Sequence, residues 1–280
     1  MESSWWWFWS ATPAPLKRER PTLWGTLREL ALVLGVTFAY FLTRGLARGT
    51  ASNAFQHAQQ LLNIEQTLHL NPEYALQALA LHHDWLMQAA NLFYIAGHLP
   101  VLIGVAAWLY WSHHQAYLRF RTAFLLSALI GLSIYIIYPV APPRFLPGFT
   151  DTLKVSGFNV DGSAVGAFYN PYAAMPSLHV GWALLAGLAI MSYAPRWWLK
   201  VLGALLPLCM MLTVLMTGNH YLLDTLAGMS IVVISLACAT YWYAWRAKRQ
   251  QRRLAAKLAE TEREQQQVAV PVGKASQLDS

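Results

Sequence analysis

Two histidines and an aspartate set the chemistry open to this chain. His220 and Asp224 stand four residues apart, a spacing that puts two side chains on one face of a helix. A carboxylate there accepts from one imidazole nitrogen and fixes the tautomer. The other nitrogen is left as a lone-pair nucleophile or base. His179, in Ala174-Met175-Pro176-Ser177-Leu178-His179, brings a second imidazole from another segment. Two histidines can then divide the work, one attacking and the other protonating a leaving group.

The neighbouring residues suit an anionic electrophile. Ser177 and the backbone N–H groups at the start of a helix form an anion site, and Pro176 stands where a helix can begin. Arg144 follows the rigid Ala141-Pro142-Pro143. Its planar fork matches phosphate oxygens and suits the charge of a phosphoryl transition state; as an outer-loop cation it equally suits lipid headgroups. Asn219 either donates one more hydrogen bond or caps the last span. Metal chemistry is the competing reading. Nine histidines are present, but none in a His-Glu-x-x-His or Cys/His spacing. His82-His83-Asp84 and His113-His114 are adjacent pairs that fit a membrane interface. Cys209 and Cys238 fall inside apolar runs, so they imply neither a disulfide framework nor a metal site. No metal or organic cofactor is expected.

The elements that position these groups are membrane spans. Of the 280 residues, 56% are hydrophobic and only 12% charged, against about 25% charge in soluble domains. This predicts an all-α integral membrane protein. The net charge of +7 comes from Lys and Arg flanking apolar runs, where orientation explains them better than nucleic acid does. A span takes about 20 apolar residues. Six are expected in a bundle: 23–43, 85–111, 120–139, from Ser177 to just before Pro195, 198–216 and 220–243. The first follows Lys17, Arg18 and Arg20 and is too long for a signal peptide.

In the second span Asn91, Tyr94 and His98 share a face, and Pro100 predicts a kink. Between the first two spans Leu61, Leu62, Ile64 and Leu68 recur at helical spacing, so amphipathic surface helices are expected there. The loop 141–176 is long enough to be functional. Its aromatics Phe158, Phe168, Tyr169 and Tyr172 suit either a shield over the site or an interfacial loop. The chain divides into a cytoplasmic aromatic and basic tail (1–22), a six-span catalytic domain (23–245) and a basic, then polar, cytoplasmic tail (246–280), disordered at its end. The tryptophans of Trp5-Trp6-Trp7-Phe8-Trp9 suit an interfacial anchor.

Orientation follows the positive charge. Lys17, Arg18, Arg20 and Arg28 flank the first span, Arg119 and Arg121 the third, and Arg196 and Lys200 the fifth. Arg246, Lys248, Arg249, Arg252 and Arg253 follow the sixth. With six spans all lie on one side, so both termini are cytoplasmic. His179, His220 and Asp224 then share one depth near the outer surface. The plain alternative is three hydrogen-bonded structural groups, but an idle set of this kind inside a membrane is costly.

Taken together, Pro176-Ser177-Leu178-His179 and His220 with Asp224 resemble the type-2 phosphatidic acid phosphatase superfamily. Its second motif reads Pro-Ser-Gly-His and its third ends in His-x-x-x-Asp. Ala141–Arg144, Leu178 and Thr217-Gly218-Asn219-His220-Tyr221 look more like the branch of fungal inositol phosphorylceramide synthase and its bacterial relatives. The resemblance covers roughly residues 85–245. It implies His220 as nucleophile through a phosphohistidine, Asp224 orienting it, His179 as acid and then base, and Ser177 and Arg144 on the phosphate. The chain departs at two cation positions. Ile137 stands where the first motif has Lys, and Val214 where the third has Arg. Leu178 replaces the usual Gly, and Phe145 rather than Pro follows Arg144.

The expected activity is therefore transfer of a phospho-headgroup, inositol-phosphate-like, between a lipid and an alcohol. A lipid-phosphate or prenyl-pyrophosphate phosphatase is the alternative enzyme. A transporter or lipid-binding scaffold is the non-catalytic one. The expected partners are a lipid phosphate substrate and membrane lipids, without nucleic acid; a homo-oligomer is left open. The expected location is the bacterial plasma membrane, with the site on the extracytoplasmic face.

Overall fold

The structure, a computed structural model, describes residues 22–46, 50–157 and 170–269. Ten α-helices lie within them: α1 (Leu23–Leu46), α2 (Ala51–Thr67), α3 (Glu73–His82), α4 (Asp84–Leu92), α5 (His98–Ser112), α6 (His114–Ile137), α7 (Thr152–Val155), α8 (Leu178–Tyr193), α9 (Trp197–Met216) and α10 (Leu222–Ala269). The described residues hold no β-strand, only a bridge between Val140 and Ala173. This is an all-α membrane bundle. Leu23–Thr43, Asp84–Ser112, His114–Ile137, Trp197–Met216 and Leu222–Gln265 are long and apolar enough to cross a bilayer, and Leu178–Tyr193 is a shorter apolar helix. Leu34, Phe38, Ile103, Leu129 and Ile234 are exposed, as expected where the surrounding lipid is as apolar as the side chains.

Residues Arg18–Ala239 form one compact unit, and all of the site lies in it; Thr240–Ser280 belongs to another. Of the expected polar tail, residues 246–269 are helical and continue α10. The Trp5–Trp9 run and Phe158, Phe168 and Tyr169 lie outside the described residues.

A π-helical turn, Phe93–Gly97, lies between α4 and α5, just before the kink expected at Pro100. Pro100 accounts for it: proline offers no N–H to the carbonyl four residues back and its ring crowds that carbonyl, so the turn widens. At the centre of the unit α8 packs on α9 and α10 through small residues, which let backbones approach closely. A Cβ added to Gly228 would stand 2.0 Å from the Ser177 carbonyl oxygen, so no side chain fits there. Trp182 on α8 donates to Ser127 Oγ on α6 at 3.1 Å.

The amphipathic helices expected after the first span are α2 and α3. Their apolar stripes bury Ala54, Ala58, Leu61 and Leu62 on α2 and Ala80 on α3. The α2 stripe packs on Val140, Ala141, Leu146, Ala174 and Tyr221. The loop beneath is tied down by backbone bonds: Ala141 N–H to the Ala54 oxygen at 3.0 Å, Val140 N–H to that of Tyr172 at 2.8 Å, and Ala174 N–H to that of Val140 at 3.2 Å.

Candidate active site

The site begins where α9 stops. Gly218 takes φ +65°, a left-handed conformation natural to glycine. Gly218 N–H bonds the Leu215 carbonyl at 3.1 Å and Asn219 N–H bonds that of Val214 at 3.0 Å. This pair is the Schellman pattern, which closes a helix and turns the chain sharply. Asn219 and His220 follow at once, before α10 begins at Leu222. His220 is therefore not on the helix that carries Asp224, as the four-residue spacing suggested. Asp224 still faces back toward it: Asp224 Oδ2 accepts the Tyr221 N–H at 3.0 Å, the return half of a capping box.

His220 Nδ1 lies 2.7 Å from the Ala174 carbonyl oxygen and 3.4 Å from Asp224 Oδ2. A carbonyl oxygen only accepts, so Nδ1 carries a proton, and in the neutral ring Nε2 is the nitrogen with the lone pair. This contact favours the expected tautomer, but a backbone carbonyl from the loop before α8 lies closer to Nδ1 than the aspartate does. Asp224 is fully buried.

His220 lines a small cleft, open on one side, together with His179, Tyr94, Arg144, Asn170 and Asn219. The His179 and His220 ring centres are 5.9 Å apart. Tyr94 and His98 each set a ring 4.7 Å from that of His179. Asn91, expected on their face, instead donates to the Thr152 carbonyl at 2.9 Å and to Ser156 Oγ at 2.8 Å. Thr152 Oγ1 also lies 3.1 Å from the Thr217 carbonyl oxygen, which anchors the Asp151 loop to the end of α9.

Arg144 is buried. Its guanidinium lies over the Phe145 ring at 4.9 Å, and its Nε is 3.8 Å from Asp151 Oδ2. Its N–H donates to the Gly218 carbonyl at 2.8 Å, which fixes Arg144 beside the turn that carries His220. Asn219 lines the cavity, yet it does not cap α10; its Nδ2 donates to Thr217 Oγ1 at 2.7 Å. Ser177 is the N-cap of α8, so Pro176 sits one residue outside the helix rather than at its first turn. The Ser177 N–H is taken by the Asp224 carbonyl at 2.9 Å. Its Oγ is buried without a protein partner, and it is not among the cavity-lining residues.

The two apolar replacements also lie off the cavity wall. Ile137 is 80% exposed at the end of α6, and Val214 is wholly buried against Val180, Ala183 and Met210. Arg144 is the lysine or arginine that the cavity wall contains.

Two residues whose role was not apparent in the sequence are Glu65 and Glu73, both fully buried. Glu73 Oε1 accepts the Leu222 N–H at 2.6 Å and Glu65 Oε1 accepts the Leu223 N–H at 2.7 Å. Burial, above all, pushes the Glu65 carboxyl up to about 8, and it raises that of Glu73 as well. The sequence does carry a trace of this. Ala58, Leu61, Leu62 and Glu65 form one helical stripe, so the glutamate occupies an apolar face. Asn170, also buried on the cavity wall, had no such signal.

The helical bundle and its paired imidazoles define a class, and sequence comparison agrees with it. Residues 59–238 match the PAP2 superfamily, and the chain belongs to that superfamily. It is 30% identical over 174 residues to the phosphoinositol dihydroceramide synthase of Bacteroides thetaiotaomicron, covering 55% of this chain and 56% of that protein. It is 29% identical over 134 residues to the inositol phosphorylceramide synthase catalytic subunit of Schizosaccharomyces pombe, covering 40% of this chain and 30% of that one. The chain thus spans about half or less of the length of these curated relatives. No solved structure matches it.

Proposed function

We propose that this protein moves a phospho-headgroup from a phospholipid to an alcohol through a phosphohistidine at His220. The observation that carries this reading is the Nδ1–H of His220 held by the Ala174 carbonyl, which leaves Nε2 as the nucleophile. In the first half, the bond from Nε2 to phosphorus forms as the ester P–O bond breaks, and His179 gives its proton to the departing lipid oxygen. In the second, His179 takes the proton of the incoming hydroxyl, whose oxygen bonds phosphorus as the P–N bond breaks. Asp224 steadies the charge on His220. Arg144 holds the phosphate oxygens, Asn219 contributes a polar contact, and the Ser177 hydroxyl, off the cavity wall, stands in reserve at the start of α8.

An inositol-phosphate-like headgroup is favoured over simple phosphate release by the names of the relatives and by the apolar residues at 137 and 214. Six crossings, with α8 as the fourth, set both termini in the cytoplasm and the cavity on the extracytoplasmic face of a bacterial plasma membrane. To test the reading, purified protein would be given headgroup-labelled phosphatidylinositol with and without a ceramide acceptor. Label should pass to the acceptor lipid. Label released only as free phosphate or inositol phosphate would sink the transferase version and favour a phosphatase. Unchanged lipid turnover in a folded His220→Ala protein would end the histidine mechanism.

A further inference from the structure

The first turn of α10 is held in an unusual way. A helix start leaves its first N–H groups without partners in the helix. Here three successive ones, from Tyr221, Leu222 and Leu223, go to three carboxylates: Asp224 of the same helix, Glu73 of α3 and Glu65 of α2. Among the described residues neither glutamate is in an ion pair with a cation. Each also keeps one oxygen, Glu65 Oε2 or Glu73 Oε2, buried without a donor from the rest of the protein. Two ionised carboxylates so close to Asp224 would repel it and each other. The two carboxyl groups lie within hydrogen-bonding reach of each other, so a single proton held between them removes one charge and gives each a partner.

We propose that Glu65 and Glu73 form a proton-sharing carboxyl clamp on the first turn of α10, and that this clamp positions His220 and Asp224 against the cavity. The proposal rests on His220 being the reacting group. The two glutamates do not line the cavity; they act through the backbone at Leu222 and Leu223, next to His220. Two helices that look like bilayer-surface decoration thereby become part of the positioning of the nucleophile. The ionisable groups facing the clamp are Asp224 and Tyr221 at the start of α10 and Tyr74 beside Glu73.

The clamp makes a prediction that an ordinary structural pair does not. Glutamine at either position keeps the oxygen for the backbone N–H and points an amide N–H at the partner carboxylate, where the shared proton was. Glutamine at both positions sets two N–H donors against each other. Full-length protein in detergent micelles would be compared as wild type, Glu65→Gln, Glu73→Gln and the double variant. Three readouts would be followed: kcat and KM for headgroup-labelled phosphatidylinositol, and the rate at which diethylpyrocarbonate modifies His220, read by peptide mass spectrometry. Each single glutamine should stay within about threefold of wild-type kcat. The double should fall at least about tenfold below the product of the singles, because the two sites share one bond. KM should hold, and the His220 modification rate should change in the double alone. Additive behaviour of the two substitutions would overturn the clamp. If the double fails to fold, Glu65→Ala takes its place; loss with Ala and retention with Gln is expected, and equal effects in both overturn the proposal. The modification rate does not depend on turnover. A His220→Ala protein that still turns over lipid would remove the nucleophile reading, while the clamp itself would stand or fall on the modification data.

Discussion

His220 Nδ1 donates to the Ala174 carbonyl oxygen at 2.7 Å, while Asp224 Oδ2 stands 3.4 Å away. The tautomer is thus set chiefly by backbone that no side-chain substitution removes. Asp224 contributes charge rather than geometry, and its second role, accepting the Tyr221 N–H, survives in an amide. Asp224→Asn should therefore fold with an unchanged unfolding temperature. It should lose about 10²-fold in kcat, the lower end of what a positioned acid or base supplies. A loss beyond about 10⁴-fold, typical of a wrong tautomer, would show that Asp224 and not Ala174 fixes the ring. Steady-state kinetics beside thermal unfolding decides it.

Arg144 gives a second prediction. Its guanidinium is wedged between the Phe145 ring and Asp151, and its backbone is tied to Gly218. Lysine carries the same charge but neither the planar fork nor the stacking surface. Arg144→Lys should lower kcat/KM by about 10²-fold, as removal of a transition-state donor does. Arg144→Ala should be worse and should also loosen the Asp151 loop. Near-normal kcat/KM in Arg144→Lys would remove the residue from phosphate binding.

Much of this was legible in the sequence, and the misses have physical causes. Apolar run length located the long helices, and Pro100 marked the π turn within a few residues. The His-x-x-x-Asp spacing pointed to two side chains that do meet, but by another geometry. Gly218 closes α9 so tightly that His220 falls outside α10, and Asp224 reaches it by folding back. Ser177 was read as an anion-binding N-terminus, yet its N–H is consumed by the Asp224 carbonyl, a contact between distant segments that no local pattern encodes. Glu65 and Glu73 lie in the segment expected as surface helices, where a carboxylate carries no signal of its own. Only packing of α2 and α3 on the loop between α6 and α8 reveals that they are buried on α10.

Glu65 also predicts how stability depends on pH. Its carboxyl is raised from 4.5 when unconstrained to about 8 in the folded protein, mainly by burial, with Glu73 and Asp224 adding repulsion. Between those values the folded state holds a proton that the unfolded state has released. Stability therefore falls as pH rises. The contribution is whole below about 4.5 and gone above about 8. Wild-type protein should unfold at progressively lower temperature from pH 5 to 8, as far as this group governs it. Glu65→Gln, which cannot ionise, should show a flatter profile over the same range. Parallel profiles for the two proteins would mean that Glu65 is already ionised in the fold.

Gly228 tests whether the two halves of the site depend on close helix contact. Ser177 donates its N–H to the Asp224 carbonyl at 2.9 Å, and one turn further along α10 the Ser177 carbonyl rests on Gly228. A methyl group there would lie 2.0 Å from that oxygen, and the obstacle is backbone, not a flexible side-chain end. Gly228→Ala must push α8 away from α10, carrying His179 from His220. Overpacking of this sort costs about 1–3 kcal/mol, and a misplacement near 1 Å costs about 10²-fold in rate. The variant should show both a lower unfolding temperature and a kcat loss larger than the unfolded fraction explains. Gly35→Ala is the control, because a Cβ at that position meets nothing within 4 Å, and it should leave kcat unchanged. If Gly228→Ala keeps wild-type kcat in its folded fraction, the spacing of His179 and His220 does not depend on this helix contact.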